Sequence, residues 1–399
     1  RAFVAVTADL ALAAAAQADA DFAQGIDRGP MQGIGFAIKD LMDLSGLPTT
    51  CGSRQQPSIP AVQDAEVVAR LRAQGAVPLG KLATYEYALV GPSFDGLHPP
   101  AVNPWNLDHI TGGSSSGSAA AVAAGMVRCA IGTDTGGSIR SPAGYCGVVG
   151  LKPTKGAVPL TGVFPLSGDL DHVGPLAASV ADAARMVQAM GVDAAARLGQ
   201  PVQGTRIGYA RDWFASDPAT APDVLEAMDR AISDLSLLGC RVSLIDLPDY
   251  AEIEALGITL LQYQALEVHK SALGSGDYGK QAVETLLSGQ HITAAEFASA
   301  RERAEVLRGE FAGILAQYDA VATANVLATA PPFSAFAADR AVWTAMRTLP
   351  FNITGHPVLA LPIGFSDGLP IGMQLIGVDH SEARLCQIGD AFERATDHS

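Results

Sequence analysis

The chain has 399 residues, 48% of them hydrophobic and 17% charged, with 42 glycines and 24 prolines. It is long enough to bury a sizeable core, and a composition so rich in turn formers and so poor in charge excludes a disordered or coiled-coil protein. The formal charge of −15 at pH 7 excludes a protein that grips nucleic acid through its phosphates.

Five cysteines (Cys51, Cys129, Cys146, Cys240 and Cys386) are scattered with no CxxC pair, which predicts reduced thiols and a cytoplasmic setting. No stretch is long and apolar enough to predict a transmembrane helix, so no membrane partner is expected. The Ala-rich opening carries Asp9, Asp19 and Asp21 without a basic leader and does not read as a signal peptide.

In chain order, GIGFAIKDLMD (33–43) predicts an apolar strand ending in Lys39-Asp40. Helical periodicity over 64–76 runs into a strand-like VPLG (77–80). PWNLDHITG (104–112) reads as a turn-forming stretch, and SAAAVAAG (118–125) as a buried helix of alanines. A helix over 179–191 starts at the N-cap Ser179 and stops at Gly191. RIGYA (206–210) and RVSLIDLP (241–248) read as strands flanking a helix over 221–239. From 251 to 318 the pattern is mostly helical, with Thr293 and Glu296 at capping-box spacing. HPVLALPIGF (356–365) and PIGMQLIGV (370–378) read as strands joined by the turn SDGL, before an amphipathic helix over 383–395. Such alternation predicts a layered α/β fold. No repeat, low-complexity tract or linker divides the chain, so a single domain spanning 1–399 is expected, its substrate pocket drawn from a more helical region at about 251–345.

Residues 111–150 differ from the rest in consisting almost wholly of small side chains, which let backbone approach backbone or ligand closely. Gly113, Ser115 and Gly117 match the G-x-S-x-G of a nucleophile elbow. An elbow needs a strand leading in and a histidine and acid downstream. The preceding stretch reads as a turn, and none of the later histidines sits in a recognisable context. A phosphate-binding loop fails because no GK[ST] follows the glycines.

The second glycine-rich turn, GTDTGGSIR (132–140), is the better candidate. Thr135, Gly136 and Gly137 lead into Ser138, and a turn of this kind aims several N–H groups at one point. If Ser138 attacked a carbonyl, those donors would hold the oxyanion, each being worth about 3–4 kcal/mol in the transition state. The base could be a lysine. Lys39 ends a buried strand, where loss of water favours the neutral amine, although a structural ion pair is the plainer reading of that residue alone.

The order of these blocks resembles the amidase signature family of Ser–Ser–Lys hydrolases. The resemblance is carried by GIGFAIKD, NPWNLDHITGGSSSGSAAAVAAG, GTDTGGSIRSPAGYCGVVGLKPT, DLDHVGPLA, and PFNITGHPVLALPIG with GLPIGMQLIG, spread over most of the chain. It implies an α/β fold with a large, mixed, twisted β-sheet core covered by helices on both faces. It also implies three catalytic residues: Ser138 as acyl-enzyme nucleophile, Ser114 as a proton relay after a cis Gly113–Ser114 bond, and Lys39 as the base. Thr135, Gly136 and Gly137 would be the oxyanion and substrate-binding positions. Asp134 and Arg140 are expected to fix the nucleophile turn by hydrogen bonds or a buried pair, and Ser115 and Ser118 to satisfy backbone groups. Lys81 and Lys152 read as structural, while Asp40 could tune the lysine or face solvent. No metal or organic cofactor is signalled.

The implied activity is hydrolysis of a small carboxamide or urea-type C–N bond to a carboxylate plus ammonia or an amine. The glutaminase-type subunit of a tRNA-dependent amidotransferase is the alternative. The ATYEYA stretch departs from the acidic-Met pattern of relatives that work on glutamine. Substrate-facing positions are sought in 83–96, Tyr145-Cys146 and 163–169, with Tyr85, Tyr145 and Phe164 as pocket or core aromatics. The partner expected is a small-molecule amide, and a homodimer is left open.

Overall fold

The computed structural model describes residues 1–336 and 340–398. Thirteen strands are present in it: β1 (Phe3–Val6), β2 (Gly35–Lys39), β3 (Val77–Leu82), β4 (Val102–Asn103), β5 (Asn106–Ile110), β6 (Cys129–Asp134), β7 (Val149–Lys152), β8 (His172–Ala177), β9 (Arg206–Tyr209), β10 (Arg241–Leu244), β11 (Ala320–Ala324), β12 (Val358–Ser366) and β13 (Leu369–Ile376). The helices are α1 (Ala8–Ala23), α2 (Glu66–Ala73), α3 (Ser116–Ala123), α4 (Arg140–Cys146), α5 (Val180–Met190), α6 (Asp212–Ala215), α7 (Pro222–Leu237), α8 (Tyr250–His269), α9 (Lys280–Ser288), α10 (Ala294–Leu315), α11 (Pro350–Ile353) and α12 (Glu382–Ala395).

Eleven of the strands form one sheet in the order β1-β3-β2-β6-β8-β7-β12-β13-β11-β9-β10. It is mixed: β2 runs parallel to β3 and β6, β9 runs parallel to β10 and β11, and the strands between are antiparallel. Side chains alternate between its faces, as a period of two requires. Phe36, Ile38, Ile131, Leu359 and Leu361 face α2, α5, α7 and α12 in one extended core. On the opposite face Ala37, Ala130, Leu176 and Ala360 pack under α3 and α4, while Val321, Val358 and Ile376 pack under α8 and α10. Helices therefore cover both faces. The small residues of the α3–α4 side let those helices lie close to the sheet.

Local signals account for the helix ends. Ser179 caps α5 through its side chain and Gly191 closes it at φ 110°. Thr293 and Glu296 form the reciprocal capping box of α10.

Two stretches differ from expectation. Residues 104–112 hold β5, paired with β4 as a separate hairpin, where a turn alone is expected. The stretch expected to be mostly helical, 251–318, holds α8, α9 and α10, but the more helical pocket region drawn on to about 345 continues as β11 and a stretch whose only helical piece among the described residues is the 3-10 turn Phe333–Ala335. Pro331 and Pro332 have no N–H to donate there, and Ala320–Ala324 is drawn into the sheet between β13 and β9. Residues 337–339 of that expected region lie outside the described residues.

Candidate active site

The site gathers where the parallel strands β2 and β6 end. Ile38 stands opposite Ile131, so Lys39 at the end of β2 comes beside the last residues of β6. The turn 135–139 then carries the chain into α4, and Ser114 and Ser115 precede α3. A cavity at the carboxyl ends of parallel strands is the common place for a ligand site in an α/β sheet.

Lys39 is fully buried. Its Nζ donates to Ser114 Oγ at 2.7 Å and to Thr133 Oγ1 at 2.7 Å. Burial strips water from the ammonium and brings its pKa down to about 7, against the opposing pull of Asp134 and Asp171. Ser114 is 1% exposed, and the Gly113–Ser114 bond is cis. A Cβ at Gly113 would run into the ring of Tyr85, so only glycine fits there. Ser138 is half-buried, unlike its buried neighbours, and its hydroxyl makes no hydrogen bond among the described residues. Ser114 and Ser138 line the same cavity of about 50 Å³, with Tyr85, Leu89, Gly91, Ile110, Trp343 and Met346 among its walls.

The turn bearing Ser138 is held from beneath by Asp134. Its carboxylate accepts the Gly137 N–H at 2.8 Å and the Ile139 N–H at 3.1 Å, and pairs with Arg140 Nη2 at 2.8 Å, both side chains being fully buried. Arg140 also donates to Thr348 O at 2.7 Å and to Asn352 Oδ1 at 2.7 Å. Burial acts to raise the Asp134 pKa, but Arg140 and the amide of Asn352 outweigh it and hold the carboxyl well below the usual carboxylate range. Gly137 sits at φ 134°, where a Cβ would collide with the Thr348 hydroxyl.

The expected oxyanion positions differ in what their N–H groups already do. The Gly137 N–H is spent on Asp134, because that carboxylate lies inside the turn. The N–H groups of Gly136 and Ser138 donate to no acceptor among the described residues. Thr135 donates its hydroxyl to Asp171 Oδ1 at 2.6 Å.

Ser115 is fully buried; its hydroxyl donates to Thr133 O at 3.1 Å and accepts from Thr133 N at 3.3 Å. It is absent from the cavity wall and is occupied in tying α3 to β6, which removes the elbow reading. Ser118 likewise donates to Ile131 O at 3.0 Å. Asp40 does not face solvent: it is 1% exposed and pairs with buried Lys81 at 2.7 Å. Lys152 is buried and donates to Pro153 O at 3.1 Å. Of the three aromatics, Tyr85 lines the cavity, Tyr145 is packed in a core cluster, and Phe164 packs against Tyr87 and His269.

Two residues of the site were not anticipated. Thr133 is the second acceptor for Lys39, and Asp171 anchors Thr135 while accepting the Leu166 and Ser167 N–H groups at 2.9 Å and 3.0 Å. Burial raises the Asp171 pKa against those hydrogen bonds. Both lie in the motifs GTDTGGSIR and DLDHVGPLA, but only the strand register reveals what they touch.

Known proteins share the fold and match the chain over nearly its whole length. Residues 1–386 match the family model described as Amidase. A glutamyl-tRNA(Gln) amidotransferase subunit from Roseiflexus castenholzii is 36% identical, covering all of this chain and 89% of that protein. Peptide amidase from Stenotrophomonas maltophilia superposes with a TM-score of 0.82 at 30% identity, covering 98% of this chain and 88% of that one. A structure concerning the evolutionary origins of an s-triazine catabolic enzyme superposes at 0.90 and 32% identity, covering 98% and 90%. The molecule is thus an amidohydrolase of mixed α/β architecture, acting on carbon–nitrogen bonds. It belongs to the amidase family, the amidase signature enzymes, in which a Ser-Ser-Lys triad is characteristic.

Proposed function

We propose that this chain hydrolyses a small carboxamide or urea-type C–N bond through an acyl-enzyme on Ser138, with Ser114 passing protons between Ser138 and Lys39. The observation that carries this reading is the 2.7 Å contact between Ser114 Oγ and a buried Lys39 whose pKa lies near 7. An amine balanced between its two forms at neutral pH can take and return a proton within one catalytic cycle. Ser138 Oγ would attack the carbonyl carbon as its proton moves to Ser114 Oγ, and the Ser114 proton moves to Lys39 Nζ. The free N–H groups of Gly136 and Ser138 are available to the oxyanion, in a site that needs no reorganisation as charge develops. As the C–N bond breaks, the proton returns through Ser114 to the leaving nitrogen. Water then repeats the sequence and releases the carboxylate.

A second reading, a glutaminase-type component of an amidotransferase, is favoured by the likeness to the Roseiflexus protein and by that protein's name. Against it, among the described residues no Lys or Arg lines the cavity with the two serines or the one adjoining it, so the α-carboxylate of glutamine would be desolvated without a counter-charge. We also propose that residues 1–399 act as one domain, since strands from both ends of the chain share one sheet. A reducing, cytoplasmic setting is supported by five buried, unpaired thiols. Among the described residues no helix is long and apolar enough to cross a membrane.

The test is ammonia release from aliphatic, aromatic, dicarboxylic and urea-type amides by the protein and its Ser138→Ala variant. Turnover that disappears in the variant supports the reading. Turnover that survives in the variant overturns it, and glutaminase activity appearing only with co-purified partner proteins would establish the second reading.

A further inference from the structure

The cavity holding Ser114 and Ser138 measures about 50 Å³. An apolar cavity needs roughly 150 Å³ to hold a benzene ring, so this space admits the reacting amide group and little more. Next to it lies a second cavity of about 260 Å³. Trp343, Thr344 and Met346 line both, so the two cavities adjoin. The second cavity begins at Gly136, in the turn that carries Ser138, and runs between α8 and residues 343–349. Ile258, Leu261, Met346 and Leu349 give it apolar walls. Its outer rim is the exposed Glu254, whose carboxylate accepts the Tyr250 hydroxyl at 3.2 Å.

We propose that this second cavity is the acyl subsite, and that the substrates are primary amides bearing an uncharged arylalkyl or long alkyl body. This deepens the Ser138 reading and rests on it. An apolar body seated there leaves water for the Ile258–Leu261–Leu349 walls, while its carboxamide reaches back past Gly136 into the small cavity. Burial of its apolar surface away from water favours such a ligand. A carboxylate at the far end of the acyl chain would meet Glu254, while Arg347, stacked on the Tyr250 ring, is already paired with Asp217 at 2.6 Å. The overall step is R–CO–NH2 plus water giving R–COO⁻ and ammonium, with the acyl group held on Ser138 between its two halves.

The experiment compares kcat/KM for 4-phenylbutyramide, acetamide and glutaramate (the half-amide of glutaric acid) in the unmodified chain, Ile258→Trp and Gln262→Trp. The last two introduce bulk from separate positions on the same wall, so a folding defect in one leaves the other informative. The expected result is a phenylbutyramide-to-acetamide ratio of at least about tenfold, falling by about tenfold in either variant. Glutaramate is expected to be the poorest of the three and to gain relative to phenylbutyramide in Glu254→Gln. A ratio near one in the unmodified chain, or unmoved by both tryptophans, overturns the subsite. Calorimetry separates this from failure of the hydrolytic reading. Phenylbutyramide bound by Ser138→Ala but not by Ser138→Ala/Ile258→Trp supports the subsite even if no amide is turned over, and absence of binding to Ser138→Ala overturns it.

Discussion

Lys39 illustrates how one residue can do opposite things depending on where the chain puts it. As a free side chain it is charged at neutral pH; at the buried end of β2, with two hydroxyls at 2.7 Å and no carboxylate bonded to it among the described residues, its pKa is brought down to about 7. The direction fixes the sign of a pH effect. With Lys39 as the proposed base, the neutral amine is the active form, and kcat/KM should climb as pH rises through about 7 and level off above it. A profile flat from about pH 5 to about pH 9 contradicts Lys39 as the base. Lys39→Arg keeps a positive charge that cannot be released, so it should lose activity as fully as Lys39→Ala, a comparison made by ammonia assay on folded protein. Ser115 gives the opposite case. Ser115→Ala removes both hydroxyl contacts to Thr133, at about 1–3 kcal/mol of stability measured by denaturant unfolding, yet should still turn over amide. What the sequence could say at this scale was which residue types stand in which order. It could not say that Gly137 spends its N–H on Asp134, since that depends on where a neighbouring carboxylate points.

At the scale of elements, the unit that matters is β6, the turn after it and α4. Asp134 ends the strand, Arg140 opens the helix, and their buried pair closes the turn that presents Ser138. Breaking a buried pair from one side leaves an uncompensated charge, at a typical cost of about 3–5 kcal/mol. Arg140→Met should therefore lower the denaturation midpoint sharply and reduce kcat as the turn loosens, whereas a midpoint unchanged from the unmodified chain would show the pair to be dispensable. Helices with their own capping residues, such as α5 and α10, were legible in advance because capping is a local signal. The strand β5 was not, because its pairing with β4 is a hairpin contact that no periodicity over PWNLDHITG reveals. Thr133 was missed for a related reason: its hydroxyl reaches Lys39 only because β2 and β6 pair in the register Ile38 to Ile131.

For the whole molecule, alternating helices and strands announced an α/β fold, and the resemblance supplied the mixed sheet with helices on both faces. The strand order β6-β8-β7-β12-β13-β11 lay beyond sequence, since it joins segments more than two hundred residues apart. The same long connections build the cavities, whose walls come from residues 85–91, 110–114, 136–141, 250–262, 285 and 342–349. Substrate preference is thus a property of the assembled fold, while the proposed chemistry rests on two short glycine–serine blocks and Lys39.

Everything in the proposed chemistry depends on Ser138 forming the covalent intermediate. The most direct check is to label the folded protein with a serine-reactive fluorophosphonate and map the adduct after trypsin digestion. Ser138 falls in the peptide 129–140, whereas Ser114, Ser115, Ser116 and Ser118 all fall in the peptide 82–128. The added mass is expected on 129–140 and should be lost in Ser138→Ala. Label on 82–128 persisting in that variant would contradict the assignment.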